Sequence, residues 1–466
     1  MISNSVNGNG ESKSVMAKFI VGFSHCSFRW VPDAMVFVLA LTVLVFLMAW
    51  GLTSHGPVQL IHDWVKGFWI LLTFAMQMSV LMITGFTVAD SRLARKAINW
   101  FVSVPKTRNS AIIMYALVLG ILWWLHWGIG MMTSIIMGRE LAVAKRGLKI
   151  HYPFIAAISY CAIITTNGPS MAAQLLIATP GHFMEKVTGI IPISLTTFDP
   201  YCLLTNLILI VGFPLILVLI MPAKEDSVEI SDAMAEEILA ASKESRGEDK
   251  SAMTPAQRWD RSPVLPIIVG IAGLFWIVDF IATKGIGKLD LNTLNFIFLI
   301  LGLILHGSAH SFMNSVQRGV STVGGVIVQF PLYAGIFGII QHSGLAHVIA
   351  GWFVAISTAH TFPWVIFIYS AIMNIFVPSG GSKFVIEAPY ILPAAKELGA
   401  NIPWVINAYT FGDELTNLIQ PFWALPILGA YKLKFQDILP YGVIIMIFMF
   451  IVVTVSLLYF PLWFKL

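Results

Sequence analysis

The sequence predicts an all-α polytopic membrane protein, and three observations carry that prediction. Apolar residues make up 57% of the 466-residue chain and charged residues only 11%, where soluble domains carry about 25% charge. Apolar runs recur at 33–52, 66–89, 199–222, 263–282, 292–307, 323–341 and 437–464, most of them near the roughly 20 residues that cross a hydrocarbon core. Charge gathers between the runs: residues 223–262 hold 6 of the 28 basic and 10 of the 24 acidic side chains.

Taken in order, residues 1–32 are polar at first, lack a cleavable leader pattern and read as a cytoplasmic N-terminal segment. Residues 33–222 form a first transmembrane repeat, and 223–262 a charged cytoplasmic linker with the composition of an acidic amphipathic helix or a disordered segment, read as a plain connector. Residues 263–291 add one transmembrane helix and a loop, and 292–466 form a second repeat. Four apolar stretches are interrupted by Gly, Pro and polar residues. They are 109–146 with Gly128 and Gly130, 152–180 with TTNGPS at 165–170, 361–398 with PSGGSK at 378–383, and 402–430 with GDELTNLIQP at 412–421. Non-helical backbone at membrane depth survives only when it is buried in protein or lines a wet cavity.

Two of these stretches repeat the other two. Residues 128–177 laid over 378–427 without gaps give nine identities in fifty, among them Gly130/Gly380, Pro153/Pro403, Thr166/Thr416 and Asn167/Asn417. Upstream, a Trp-Phe pair follows a spanning run in both halves (Trp100-Phe101, Trp352-Phe353). Reading 109–146 and 361–398 as hairpins gives about nine crossings plus two hairpins. With the N-terminus inside, 21 of the 28 Lys and Arg residues are then cytoplasmic, as the positive-inside rule asks. The extra helix makes the second repeat enter from the opposite face, so the repeats are inverted. Whether the hairpin arms are re-entrant or full spans does not alter this parity.

Inverted repeats with discontinuous helices place a binding site near the midplane, where half-helix ends face one another. The tip Ser379-Gly380-Gly381-Ser382 offers backbone N–H groups to an anion, with Lys383 beside it. The matching first tip offers Trp127, Gly128 and Gly130. Thr165, Thr166, Asn167 and Gly168 at one break, with Thr416, Asn417 and Gln420 at the other, supply hydroxyl and amide groups for a carboxylate. Ionisable groups within spans are functional candidates by default. Asp413 is read as the carrier of the coupling ion, a proton or Na+, with Asn167 and Asn417 near it. Lys383 either binds substrate or pairs with Glu387 at i,i+4.

No GxxxxGK[ST] motif occurs and the linker is too short for an ATPase domain, so transport is expected to be secondary. No nucleophile–base pair lies within the spans, so an enzyme is not expected. His306 and His310 have no third ligand, Cys26, Cys161 and Cys202 show no metal spacing, and neither metal nor cofactor is expected beyond Na+ as a coupling ion. The basic residues follow topology, so nucleic acid is not an expected partner.

The chain resembles the short-chain fatty acid transporter family (AtoE type) over nearly its whole length. The resemblance is carried by RWVPDAMVF at 29–37, FAMQMSVLMITG at 74–85, ATPGH at 178–182, VQFPLYAGI at 328–336, HSGLA at 342–346, FVPSGG at 376–381 and NLIQPFWALP at 417–426. It implies a bacterial inner-membrane carrier of small monocarboxylates such as acetoacetate or butyrate. It also implies kinship with the ion-transporter superfamily, whose members form homodimers and often move as elevators. TTNGPS, Ser382 and Lys383 make this chain more polar at the site than family members are, which points toward a hydroxy-acid, keto-acid or dicarboxylate. The rival reading is a cation/proton antiporter on the same scaffold.

Overall fold

The computed structural model describes residues 34–244, 253–320 and 323–464. The expected N-terminal segment 1–32, Cys26, and the charges Lys13, Lys18, Arg29 and Lys465 lie outside the described residues, as does part of the linker. All elements described are helical. The first half comprises α1 (Ala34–Leu52), α2 (Pro57–Gly67), α3 (Leu72–Ala89), α4 (Arg92–Ser103), α5 (Arg108–Leu125), α6 (Trp127–Ala144), α7 (Tyr152–Cys161) with a 3₁₀ turn at Ala162–Thr165, α8 (Ala172–Ala178), α9 (Glu185–Thr188) and α10 (Pro200–Ile220). Then follow α11 (Asp232–Glu244), α12 (Pro255–Asp260) and α13 (Val264–Lys284). The second half comprises α14 (Leu291–His306), α15 (Ala309–Val320), α16 (Gly324–His342), α17 (Leu345–Ile356), α18 (Phe362–Phe376), α19 (Gly380–Leu398), α20 (Ile402–Asn417), α21 (Leu425–Tyr431) and α22 (Phe435–Phe464).

Among the described residues, five helices are long and apolar enough to cross a membrane, or up to six if the bent pair Ile327–His342 and Leu345–Ile356 is one span. The sequence count of nine also draws on shorter apolar helices of 10–17 residues, such as Val38–Leu52 and Leu291–His306. The 76° bend of that pair falls at Gly344, whose φ of 85° is left-handed and suits a residue without Cβ. Large apolar side chains stay uncovered on the spanning helices, with Leu219 79% and Phe275 76% exposed. Such a band in a multi-pass membrane protein faces lipid.

The element order of the first half recurs in the second: an apolar helix, a short polar helix, an apolar helix, an arm, a hairpin, a broken helix, an apolar helix. The hairpins are α5–α6, turning at His126, and α18–α19, turning at 377–379. The helix expected at 152–180 is interrupted between Thr165 and Ala172, and the one at 402–430 between Asn417 and Leu425. The first interruption also changes partners: Tyr152 to Ile164 pack into one apolar cluster with α5, α10 and α22, whereas Ala172 to Ala178 join another with α3, α16 and α19.

Charged side chains near the helix ends tie neighbouring segments together. Arg108 donates to the Pro222 carbonyl (2.6 Å) and to Ser227 Oγ (2.8 Å). Lys145 donates to the Ser103 carbonyl (3.0 Å), and Asp90 at the end of α3 accepts from Arg95 (3.0 Å) and is paired with Arg318 of α15. Burial alone would raise the Asp90 carboxyl, but hydrogen bonds from Arg318, Arg95 and Ser315 hold it below its ordinary value of 3.8. A depressed folded value contributes stability above the ordinary carboxylate range, and that contribution is lost as pH falls through the lower folded value. Asp90→Asn should therefore cost about 1–2 kcal/mol at neutral pH, after solvent screening of the half-exposed guanidiniums. The deficit should vanish in acid. A thermal melt series of both proteins from pH 7 to pH 3 checks this, and a pH-independent deficit would contradict it.

The linker is more than a plain connector in its described part. Glu229 accepts from the Gly147 and Lys149 amides (2.7 and 3.0 Å), and Asp232 pairs with Arg146. Glu237 of α11 pairs with Lys432 of the second half at 2.6 Å, while Ile230, Ala235 and Ile238 are buried beneath. Deeper in the same region, the hydroxyls of Tyr115 and Tyr431 both meet Ser159 Oγ, at 2.7 and 2.8 Å.

Candidate functional site

The first break follows from its sequence. Pro169 cannot donate to a helix, and it biases Gly168 away from helical backbone. A Cβ on Gly168 would also overlap the Trp124 carbonyl of the hairpin, so only glycine allows this approach. Thr165, Thr166, Asn167 and Ser170 are buried. Gln174 of α8 donates to Asn167 Oδ1 (2.6 Å) and reaches Asn407 Oδ1 of α20 (3.3 Å), and Asn206 of α10 donates to the Asn167 carbonyl (2.8 Å). The carbonyl freed at Asn167 is thus answered by a side chain of another helix, as burial inside a membrane protein asks.

The second break is held in the same manner. Asn374 of α18 donates to the Asp413 carbonyl (2.7 Å), Thr416 Oγ1 (3.1 Å) and Asn417 Oδ1 (2.9 Å). Gln420 donates to Asn417 Oδ1 (2.8 Å), and Tyr160 of α7 donates to the carbonyls of Asn417 and Gln420. Each break therefore leans on the opposite half.

The two hairpin tips differ. At the first, His126 Nδ1 accepts from the Gly128 and Ile129 amides (3.1 and 3.4 Å), and Trp127 N–H donates to Ser170 Oγ (3.0 Å). At the second, Ser379 starts α19 without a side-chain cap, and its hydroxyl meets Ser382 Oγ at 2.8 Å. Asp413 lies against that tip: a Cβ on Gly380 would come 2.9 Å from Asp413 Oδ2. The other carboxylate oxygen is 3.1 Å from Lys383 Nζ. Lys383 is fully buried, donates to the Ser370 carbonyl (2.8 Å) and Oγ (2.7 Å), and stands 4.6 Å from the Tyr409 ring centre.

Both tips and both breaks line one cavity of about 100 Å³. Of the residues that the sequence marks as binding groups, Trp127, Thr166, Ser379, Gly380, Gly381 and Asn417 line it, together with Asp413. Others are placed away from its wall. Gly128 packs on His126 and Gly130 on Trp123, Gly168 on Trp124, and Thr165 Oγ1 is turned to the Gly120 carbonyl (2.9 Å). Asn167, Ser382, Thr416 and Gln420 are occupied in the contacts above, Thr416 Oγ1 also donating to the Ala371 carbonyl (2.8 Å). The ion pair that Lys383 makes is with Asp413 and not with Glu387 four residues on. The rest of the wall is soft and aromatic, with Met78, Met82, Met131, Met171, Trp123 and Trp423.

The sequence reading notes Glu414 beside Asp413 but prefers Asp413 as the ion carrier. The Glu414 side chain is 1% exposed, lines the cavity, and has no hydrogen-bond partner at either carboxylate oxygen. The signal was present in the acidic pair inside GDELTN. Gln174, Asn206, Asn374 and Asn407 were missed, because a single amide within a helix looks like any inter-helix contact.

An apolar cavity with a few convergent polar groups, at the meeting of two broken helices, suits a small amphipathic ligand. Residues 14–460 match the model of the short chain fatty acid transporter family. The chain belongs to that family. A relative in Escherichia coli (strain K12), provisionally named a short-chain fatty acid transporter, is 33% identical over 430 residues, 92% of this chain and 96% of its own. One of the same provisional name in Haemophilus influenzae is 34% identical over 428 residues, 90% of this chain and 94% of its own. Among solved structures, the YdaH transporter of Alcanivorax borkumensis superposes with a TM-score of 0.60 at 14% identity, covering 91% of this chain and 98% of that one. MtrF of Neisseria gonorrhoeae gives 0.54 at 15% identity, over 94% and 97%. The likeness to solved structures establishes the all-helical fold, and membership of the family carries a transport role. This short-chain fatty acid transporter family member is thus a multi-pass membrane protein that acts on a small molecule.

Proposed function

We propose that the protein is a secondary active carrier of short-chain fatty acids or closely related small carboxylates across a bacterial inner membrane, coupled to H+ or Na+. The observation that carries this reading is the convergence of both helix breaks and the uncapped Ser379–Gly381 tip on one cavity. A helix start with free N–H groups favours a carboxylate, while the methionine and tryptophan wall suits a short alkyl chain. Matched element order in the halves and the excess of cytoplasmic Lys and Arg support inverted repeats, with the N-terminus cytoplasmic and the C-terminus periplasmic. Family kinship supports a homodimer working as an elevator.

Proteoliposomes given labelled butyrate, acetoacetate, a hydroxy-acid and a dicarboxylate, with and without Na+, test the reading. Uptake of at least one acid is expected. Asn417→Ala and Gly380→Leu should each lower that uptake at least about tenfold while leaving protein in the membrane, because each alters the cavity wall. Normal uptake in both variants would remove these residues from the site. The acidic pair Asp413 and Glu414 at the cavity favours the antiporter rival. Ion movement with no carboxylate-dependent thermal protection would decide for that rival.

A further inference from the structure

Asp413 and Glu414 are adjacent on α20 and line the same cavity, yet only one of them has a counter-charge. Asp413 is answered by Lys383, which leaves that pair neutral overall. Glu414 is buried, and neither of its carboxylate oxygens is hydrogen-bonded. Among the described residues lining the cavity there is no cationic side chain. The titratable and charged groups that face Glu414 are Asp413 on its own helix, Lys383 of α19 behind Asp413, and Cys202 at the start of α10, itself beside Asp199. The cavity walls from α5, α6 and the first break present Trp123, Trp127 and Thr166, which carry no charge.

An ionised carboxylate buried without cation or hydrogen bonds is strongly disfavoured. An entering carboxylate would bring a second negative charge into the same low-dielectric space, and like charges at close range cannot both stay ionised there. A neutral Glu414 removes both penalties. We propose that Glu414 is the proton-binding group of this carrier, so that a small carboxylate and one proton occupy the cavity together. The proton comes from water on the side of entry, resides on a Glu414 carboxylate oxygen, and leaves to water on the other side with the substrate. Asp413, already paired with Lys383, is then a positioning residue at the Gly380 tip and not the coupling group. This assignment rests on the carboxylate-carrier reading above and selects the proton over sodium.

The test uses the full-length purified protein, butyrate as the probe, and a pH indicator in weakly buffered solution. Wild type is expected to take up one proton per butyrate bound at a pH where Glu414 is ionised. Its apparent affinity should fall tenfold per pH unit in that range, because only the protonated fraction binds. Glu414→Gln, permanently neutral, should bind butyrate with no proton uptake and a flat pH dependence. Wild type that binds butyrate without taking up a proton, or only with sodium, overturns the assignment and leaves the carrier reading standing. Wild type that binds none of the carboxylate panel overturns both. Should Glu414→Gln fail to fold, Glu414→Asp keeps an acid there and should retain proton uptake with a displaced pH midpoint; an unmoved midpoint assigns the proton to another group.

Discussion

Replacing Lys383 with methionine should destabilise the protein by about 3–5 kcal/mol, since removal of one partner leaves a buried charge uncompensated. Asp413 would keep its place at the Gly380 tip with a side chain only 6% exposed and no cation opposite. The Ser370 carbonyl and hydroxyl would also lose their donor. The double variant Lys383→Met/Asp413→Leu should recover most of that loss, because a buried ion pair exchanged for apolar groups of similar size is often neutral in stability. Melting of the three proteins in one detergent reads this directly. Equal melting temperatures for the single variant and wild type would mean that the pair holds nothing in place. The double variant should still fail in uptake, which separates stability from function at this site.

Gly168→Ala is expected to act through the backbone. The added methyl would overlap the Trp124 carbonyl oxygen, an atom of the hairpin backbone rather than the tip of a flexible side chain. Either the hairpin or the break must shift. Overpacking of this kind costs about 1–3 kcal/mol. Thr166, two residues away on the cavity wall, would move with it, so uptake should fall at least about tenfold. Gly56→Ala is the matched control, since a Cβ there meets nothing within 4 Å. If both variants melt and transport alike, the close approach at Gly168 is not what shapes the break.

The fold class and the breaks were readable because membrane physics leaves few options. An apolar run near 20 residues has little to do but span, and Thr, Asn, Gly and Pro together inside such a run must be housed in protein. The strings TTNGPS and PSGGSK therefore pointed to places where helices do stop, and to a cavity they share. Partners were not readable. Glu387 lies one turn from Lys383 and was the natural suggestion, yet Asp413, thirty residues on, is the side chain within 3.1 Å. Tip geometry decides that choice, and geometry of this kind is absent from linear spacing. Gln174 and Asn374 escaped notice for a related reason: each bridges groups that only the folded halves bring together. The linker misled through composition, because its acidic surface also belongs to a segment with Ile230 and Ile238 facing inward.

The docked linker also settles what fastens the halves at that end of the molecule. Its acids grip Gly147, Lys149 and Arg146 of the first half and Lys432 of the second. Cohesion there comes from lateral grip between these groups. A single charge reversal at Arg146 would begin to unzip it.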